Sequence, residues 1–275
     1  MNAFRIAWLA CRDLFDELFT LMLVNFIWVV ISLPLLGIAI SLAFSEAYVP
    51  AVLAALLAML LLAPASTGLN LIAQEIYEGR GVSWRLFFDG FRELRTLSWK
   101  AYLIWMAALI LIIVNLAFYT QMAPPFNAFL VMLFFYILVL WCAMLIHLGP
   151  LLVLQERRSL RLIYRNALVL IFSRPIATLI TMVLMTIILI LSVIANLLPL
   201  LIITPALLSV WGFRSTATAI KESEERRQAA QEAQSNDPAV PAGEKGRGGG
   251  DRAPPGKPPR GEAPLFSSDP TRRFI

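Results

Sequence analysis

The sequence predicts an all-α, polytopic integral membrane protein: six transmembrane helices arranged as three hairpins, with two interfacial amphipathic helices. Three observations carry this reading. Stretches of about 16–29 residues are free of charge, long enough at 1.5 Å per residue to cross roughly 30 Å of hydrocarbon. All 23 Lys and Arg fall in alternate gaps between those stretches. Two of the basic gaps repeat their apolar residues at helical spacing. The alternation is the positive-inside pattern, which places both termini and the two large loops in the cytoplasm.

Residues 1–17 form a cytoplasmic N-terminal segment with Arg5 and Arg12. Asp13, Asp16 and Glu17 stand directly before the first apolar run, and that run is too long for a signal-peptide core, so it is expected to stay in the membrane. The six spans read Leu18–Phe44, Val49–Ala73, Ser98–Tyr119, Phe126–Leu154, Pro175–Ile194 and Leu197–Phe213. Short outer turns join them in pairs, at 45–48, at 120–125 and near Asn196, marked by Pro and small polar residues that cannot continue a helix. Residues 175–213 form either two short spans or one span and a re-entrant piece broken by Pro199 and Pro205. Arg174 and Arg214 both belong inside, so the number of crossings is even. Lys221–Arg227 can extend the last helix for a turn or two. Residues 221–275 otherwise read as a disordered cytoplasmic tail, too rich in Pro, Gly and charge to offset ordering entropy.

The inner loops are more than polar connectors. Trp84, Phe87, Phe88, Phe91 and Leu94 fall on one helical face, with Arg85, Asp89, Arg92 and Glu93 opposite. Such a helix is expected to lie in the interface with its aromatics in the acyl boundary. Arg95 is a misfit on the apolar face unless it snorkels. In the next inner loop Arg158, Arg161 and Arg165 share a face, and with Arg157 they lack acidic partners. Arg157, Arg158, Arg161, Arg165, Trp84, Phe87, Phe88 and Phe91 are therefore the candidate contacts for lipid headgroups or a partner. The two loops also resemble each other. Aligning 83–104 with 159–180 gives seven identities in 22 positions. Pro64, Pro150 and Pro205 recur in the returning arms, which suggests repeated hairpin units. With Asn25 and Pro34 they are candidate helix-break or packing positions.

Composition excludes much chemistry. At 59% hydrophobic and 15% charged, the chain is too apolar for an ordinary soluble domain. The net charge of +5 sits beside membrane segments and in the tail, which fits anionic lipid better than nucleic acid. No Asp, Glu, Lys or Arg occupies the centre of a span, which argues against an ion-coupled pump, a voltage sensor or an aspartyl intramembrane protease. His147 is the only histidine, flanked by apolar residues, and reads as a satisfied packing residue. Cys11 and Cys142 form no disulfide framework. No catalytic residue, metal site or cofactor is expected, and the chain reads as non-enzymatic. Asn25, Ser32, Asn70, Asn115, Thr181, Thr186 and Asn196 are the notable intramembrane polar groups, suited to interhelical hydrogen bonds or to lining a solute path.

Several pieces in order resemble the YesL family of bacterial membrane proteins, a domain of unknown function. They are Asn25-Phe26-Ile27-Trp28 leading to Ser32-Leu33-Pro34, then Ala63-Pro64-Ala65-Ser66-Thr67-Gly68-Leu69, Gly79, Phe87-Phe88 and Gly90-Phe91-Arg92. Gly149-Pro150-Leu151-Leu152, Gln155-Glu156, Arg165-Asn166-Ala167 and Arg174-Pro175 complete the set. The likeness spans about residues 10–222 and departs in the distance between Pro34 and Pro64, longer here than in the family. The resemblance implies a multi-pass protein of the bacterial plasma membrane, accessory to a carbohydrate uptake system, with components of that transporter as partners. A lipid-binding or envelope-organising module is the alternative.

Overall fold

The structure, a computed structural model, describes residues 3–122, 126–155 and 159–235, with side chains as far as Gln231. Arg157, Arg158 and the tail expected beyond Asn236 lie outside the described residues. Those described are helical, with no strand among them: α1 Ala3–Asp16, α2 Leu18–Phe44, α3 Tyr48–Tyr77, α4 Arg85–Glu93, α5 Arg95–Tyr119, α6 Phe126–Leu154, α7 Leu160–Ser173, α8 Pro175–Ile194, α9 Leu198–Ile202 and α10 Thr204–Ser235. Residues 1–219 form one compact unit and 220–275 a second. Five helices (α2, α3, α5, α6 and α8) are long and apolar enough to cross a membrane.

The element order is a threefold repeat. A short helix, a one-residue joint and a long outgoing helix recur as α1–Glu17–α2, α4–Leu94–α5 and α7–Arg174–α8, each followed by a returning helix. Sequence alignment finds the second and third copies. The first escapes it because residues 3–16 share the geometry and not the residues. This segment is helical, burying Ala3, Ile6, Ala10 and Leu14 and exposing Phe4, Trp8 and Phe15. Burial pushes the Cys11 thiol above its usual range. Asp13 pairs with Arg214 of α10, both side chains under one-fifth exposed, and Arg214 lies 5.5 Å over the Tyr77 ring of α3.

Of the two forms open for the last apolar run, the broken one is found: Leu197–Phe213 holds two helices, α9 and the start of α10, separated at Ile203. Asn196 and Leu197 turn the chain in the left-handed region, with φ of 56° and 61°. Asn enters that region readily; Leu does so at a cost of roughly 1–2 kcal/mol. The helical extension expected over Lys221–Arg227 is present and longer, since α10 runs on to Ser235.

Pro34, Pro64 and Pro150 do not break their helices, which run on through them. A helical Pro leaves the carbonyl four residues earlier without its N–H donor. For Pro64 that carbonyl is Leu60 O, and the indole Nε1 of Trp99 on α5 donates to it. For Pro150 it is Ile146 O, which Gly212 of α10 approaches so closely that a Cβ there would stand 3.2 Å away. At Pro64, packing between repeats thus supplies the donor that the proline lacks. Trp99→Phe keeps the ring beneath Arg95, 5.2 Å away, and removes only the donor. The expected loss is about 1–2 kcal/mol, read as a lower apparent Tm in detergent; an unchanged Tm would refute the assignment.

The core sits where α1, α2, α3, α4 and α10 meet, around Leu21, Ile72, Phe87, Trp211 and Phe213. On α3 the run of small residues from Ala63 to Gly68 is almost wholly buried, which lets α4 and α5 come close. Thr67 Oγ1 and Ser98 Oγ tie α3 to α5 at 2.7 Å. The α5–α6 pair is held by a reciprocal link: Trp105 Nε1 donates to Trp141 O (3.1 Å) and Trp141 Nε1 to Trp105 O (2.9 Å). The outward faces stay apolar, with Phe19, Phe44 and Phe126 mostly exposed.

Candidate functional site: an apolar cavity between the hairpins

The returning helices do not close against one another completely. A cavity of about 510 Å³ lies between them, lined from α2, α3, α5, α6, α8, α9 and α10. Its volume falls within the usual range for small-molecule sites, roughly 300–1,000 Å³. Pro150, Pro205, Gly149 and Gly212 line it, so it lies beside the bends and close contacts of α6 and α10. Three lining residues are also exposed on the outer surface: Leu145 on α6 at 40%, Leu189 on α8 at 42%, and Thr186. They mark a mouth between α6 and α8. The surface around it is apolar, with Val183, Ile187 and Ile190 about half exposed. The exposed lining residues thus adjoin an apolar surface of α8.

Its polar groups are few and uncharged. Trp28 Nε1 donates to Ser66 Oγ at 3.1 Å, and Asn70 Nδ2 donates to Ser66 O at 2.8 Å. Asn70 also packs on Gly149, where a Cβ would fall 2.5 Å from Nδ2 and push the amide aside. Thr186 Oγ1 donates to Met182 O within its own helix at 2.8 Å. The hydroxyl of Tyr102, a residue 5% exposed, makes no hydrogen bond among the described residues. No Asp, Glu, Lys, Arg or His belongs to the lining.

Asn25 holds the cavity's α9–α10 corner. Its Nδ2 donates to Leu200 O at 3.1 Å and Leu201 O at 2.8 Å, while its Oδ1 accepts from Ala206 N–H at 3.0 Å. Leu201 O is the carbonyl that Pro205 leaves without a helical donor. One amide of α2 thus satisfies both ends of the break, as irregular backbone in an apolar setting requires. Ser192 and Thr204 join their hydroxyls at 2.8 Å beside it.

The other predicted positions are dispersed. Phe87 is wholly buried against Gly68 of α3, so it cannot touch lipid or a partner, contrary to expectation. Phe88 and Phe91 are partly buried in the same core, and only Trp84, at 44%, is exposed. The aromatic face of α4 is covered by protein because Gly68 and Gly90 let the two helices touch. Arg161 and Arg165 are exposed on α7. Pro34 lies mid-helix in α2, away from the cavity lining. His147 is buried, its Nδ1 2.9 Å from Thr216 Oγ1. Thr216 gives its own proton to Gly212 O, so Nδ1 is the donor to it. Of the lining, Asn70 and Thr186 stand out in the sequence as intramembrane polar groups; Trp28, Ser66, Tyr102 and Ser209 do not. The i, i+4 spacing of Ser66 and Asn70, which places both on one face of α3, is the signal that could have found them.

The fold and its outward apolar faces give the class: an all-helical protein whose five long apolar helices are compatible with a multi-pass membrane protein. Comparison with family models, curated proteins and solved structures gives no match. The YesL resemblance therefore rests on the residues quoted for it.

Proposed function

We propose that this chain is a six-crossing bacterial plasma-membrane protein with both termini in the cytoplasm, which binds the apolar chain of a lipid or lipid-like molecule and performs no chemistry on it. The apolar cavity, with its exposed lining residues on α6 and α8, carries this reading. A ligand entering between α6 and α8 comes from the bilayer, where apolar molecules reside. In this reading the sixth crossing is α9 with the first turns of α10, through Phe213. The Asp13–Arg214 pair neutralises the first charge beyond it. The short helices α1, α4 and α7 lie along the cytoplasmic interface, with Arg5, Arg12, Arg161 and Arg165 toward headgroups.

A lining without carboxylate, histidine or lysine lacks the groups most used in acid–base catalysis, which favours binding. A carbohydrate does not suit it either. A sugar carries a hydroxyl on most carbons and needs a matching polar wall, since each unpaired polar group costs about 1–3 kcal/mol. An accessory role in sugar uptake would have to run through the outer surface.

Mass spectrometry of lipid retained by the purified protein tests the binding. Wild-type protein is expected to keep an apolar molecule at close to one per chain after extensive detergent exchange. Thr186→Trp, a change at the exposed mouth, is expected to abolish that retention while leaving the fold intact. Equal retention by both proteins would sink the proposal.

A further inference from the structure

The cavity has two unlike ends. Met59, Leu189 and Leu200 line it far from the cytoplasmic ends of the bundle, whereas Ser66, Asn70, Tyr102 and Ser209 bring polar atoms to it. Asn70 stands seven residues before the end of α3, and Tyr102 seven residues after the start of α5. At 1.5 Å per residue both lie about 10 Å inside the helix ends, at one level. Each is 5% exposed, and each keeps hydrogen-bonding capacity in hand. Asn70 Nδ2 is committed to Ser66 O, but its Oδ1 accepts nothing among the described residues. The Tyr102 hydroxyl is unpaired among the described residues, and Ser66 Oγ accepts from Trp28 while its own proton has no partner there. Polar atoms left free on the wall of an apolar cavity, several at one end of it, mark where a ligand can supply hydrogen bonds.

The same end has no cation to meet an anion and no carboxylate to meet a cation. A phosphate or ionised carboxylate at that depth would be desolvated without compensation, at several kcal/mol. Resting on the proposed lipid-binding role, we infer that the ligand is an uncharged amphiphile: a long aliphatic chain ending in a hydroxyl or ester group, of the class of monoglycerides and long-chain alcohols. Its neutral end meets Asn70, Tyr102 and Ser66, and its chain runs toward Met59 and Leu200.

The inference is tested on the full chain in detergent, by displacement of a tritiated 1-monooleoylglycerol probe. Octadecanol is expected to compete about as well as unlabelled monooleoylglycerol. Oleate at pH 8 and lysophosphatidylcholine are expected to compete at least tenfold less well. Tyr102→Phe, which removes a hydroxyl that bonds to no described residue, should keep the wild-type Tm. It is expected to weaken monooleoylglycerol about 2–12-fold, the loss of one hydrogen bond, and to leave octadecane binding unchanged. Binding that Thr186→Trp abolishes but that ignores charge and Tyr102→Phe would overturn this inference and spare the lipid-binding role. Tail recognition alone, seen as equal competition by lysophosphatidylcholine, would do the same. Binding insensitive to Thr186→Trp would overturn both.

Discussion

Replacing Asn25 with Leu is expected to destabilise the protein by about 2–4 kcal/mol, among the largest effects of any single change in it. Three hydrogen bonds go at once: those to Leu200 O and Leu201 O and that from Ala206 N–H. An interhelical hydrogen bond in a membrane averages only about 0.6 kcal/mol, because the unfolded helices find other partners. Here the partners are backbone groups at a helix break, and among the described residues no other donor reaches Leu201 O. The cost per orphaned group therefore moves toward the upper figure of about 1–3 kcal/mol. Pro205→Ala provides the control. An alanine at 205 restores an N–H that can reach Leu201 O and lets α9 run into α10. In the Asn25→Leu background it should recover about 1 kcal/mol, whereas in the wild type it should change little. Purely additive effects of the two substitutions on Tm in detergent would show that Asn25 does not serve the proline's carbonyl.

Gly68→Ala is expected to cost about 2–3 kcal/mol despite being a Gly-to-Ala change inside a helix. By propensity alone it would gain about 1 kcal/mol. The new methyl carbon, however, would stand 2.5 Å from Phe87 O and 3.0 Å from Phe87 Cδ2. The first of these atoms is backbone, so α4 must move as a body. Gly90 gives no relief, since it already faces the Gly68 Cα. Overpacking of this kind exceeds the propensity gain. Hydrogen exchange across 85–93 should accelerate in the variant, as α4 lifts off α3 and the Phe87 pocket opens. Unchanged protection there, or a rise in Tm, would refute the contact. Gly37 is the internal reference: a Cβ there meets nothing within 4 Å, so Gly37→Ala should be neutral or mildly stabilising.

The comparison of these two glycines shows how much the sequence discloses. Both sit in apolar helices, and nothing local separates them. The four prolines Pro34, Pro64, Pro150 and Pro205 are equally alike as residues, yet only Pro205 stands at an interruption. At Pro64 the orphaned carbonyl is met by Trp99, thirty-five positions further along the chain, so the helix continues. At Pro205 the chain has already turned through the left-handed Leu197 and needs Asn25, a residue from the opposite end of the domain. Candidate site residues fared similarly. Asn25 stood out as a polar residue in an apolar run, and its three bonds are the reason it is tolerated there. Phe87 stood out as part of an aromatic face, but periodicity reports only that a face is apolar. Lipid and protein interior are both apolar, so the pattern cannot say which of them covers it. The Gly68–Gly90 approach decides for protein.

By itself the sequence determined the helical class and the placement of five long apolar helices, because these follow from short-range quantities. Charge is excluded from hydrocarbon wherever it occurs, and a helix satisfies its own backbone without help from distant residues. It also determined the repeat in its second and third copies, where residues as well as geometry recur. Only the tertiary structure decided that residues 3–16 form the first copy and that the last apolar run takes the broken form of the two the sequence allowed. It alone decided that the hairpins leave a cavity opening between α6 and α8. Those features depend on which carbonyl a remote indole or amide reaches and on which glycine a neighbouring helix meets. Contacts of that kind leave no periodic trace along the chain.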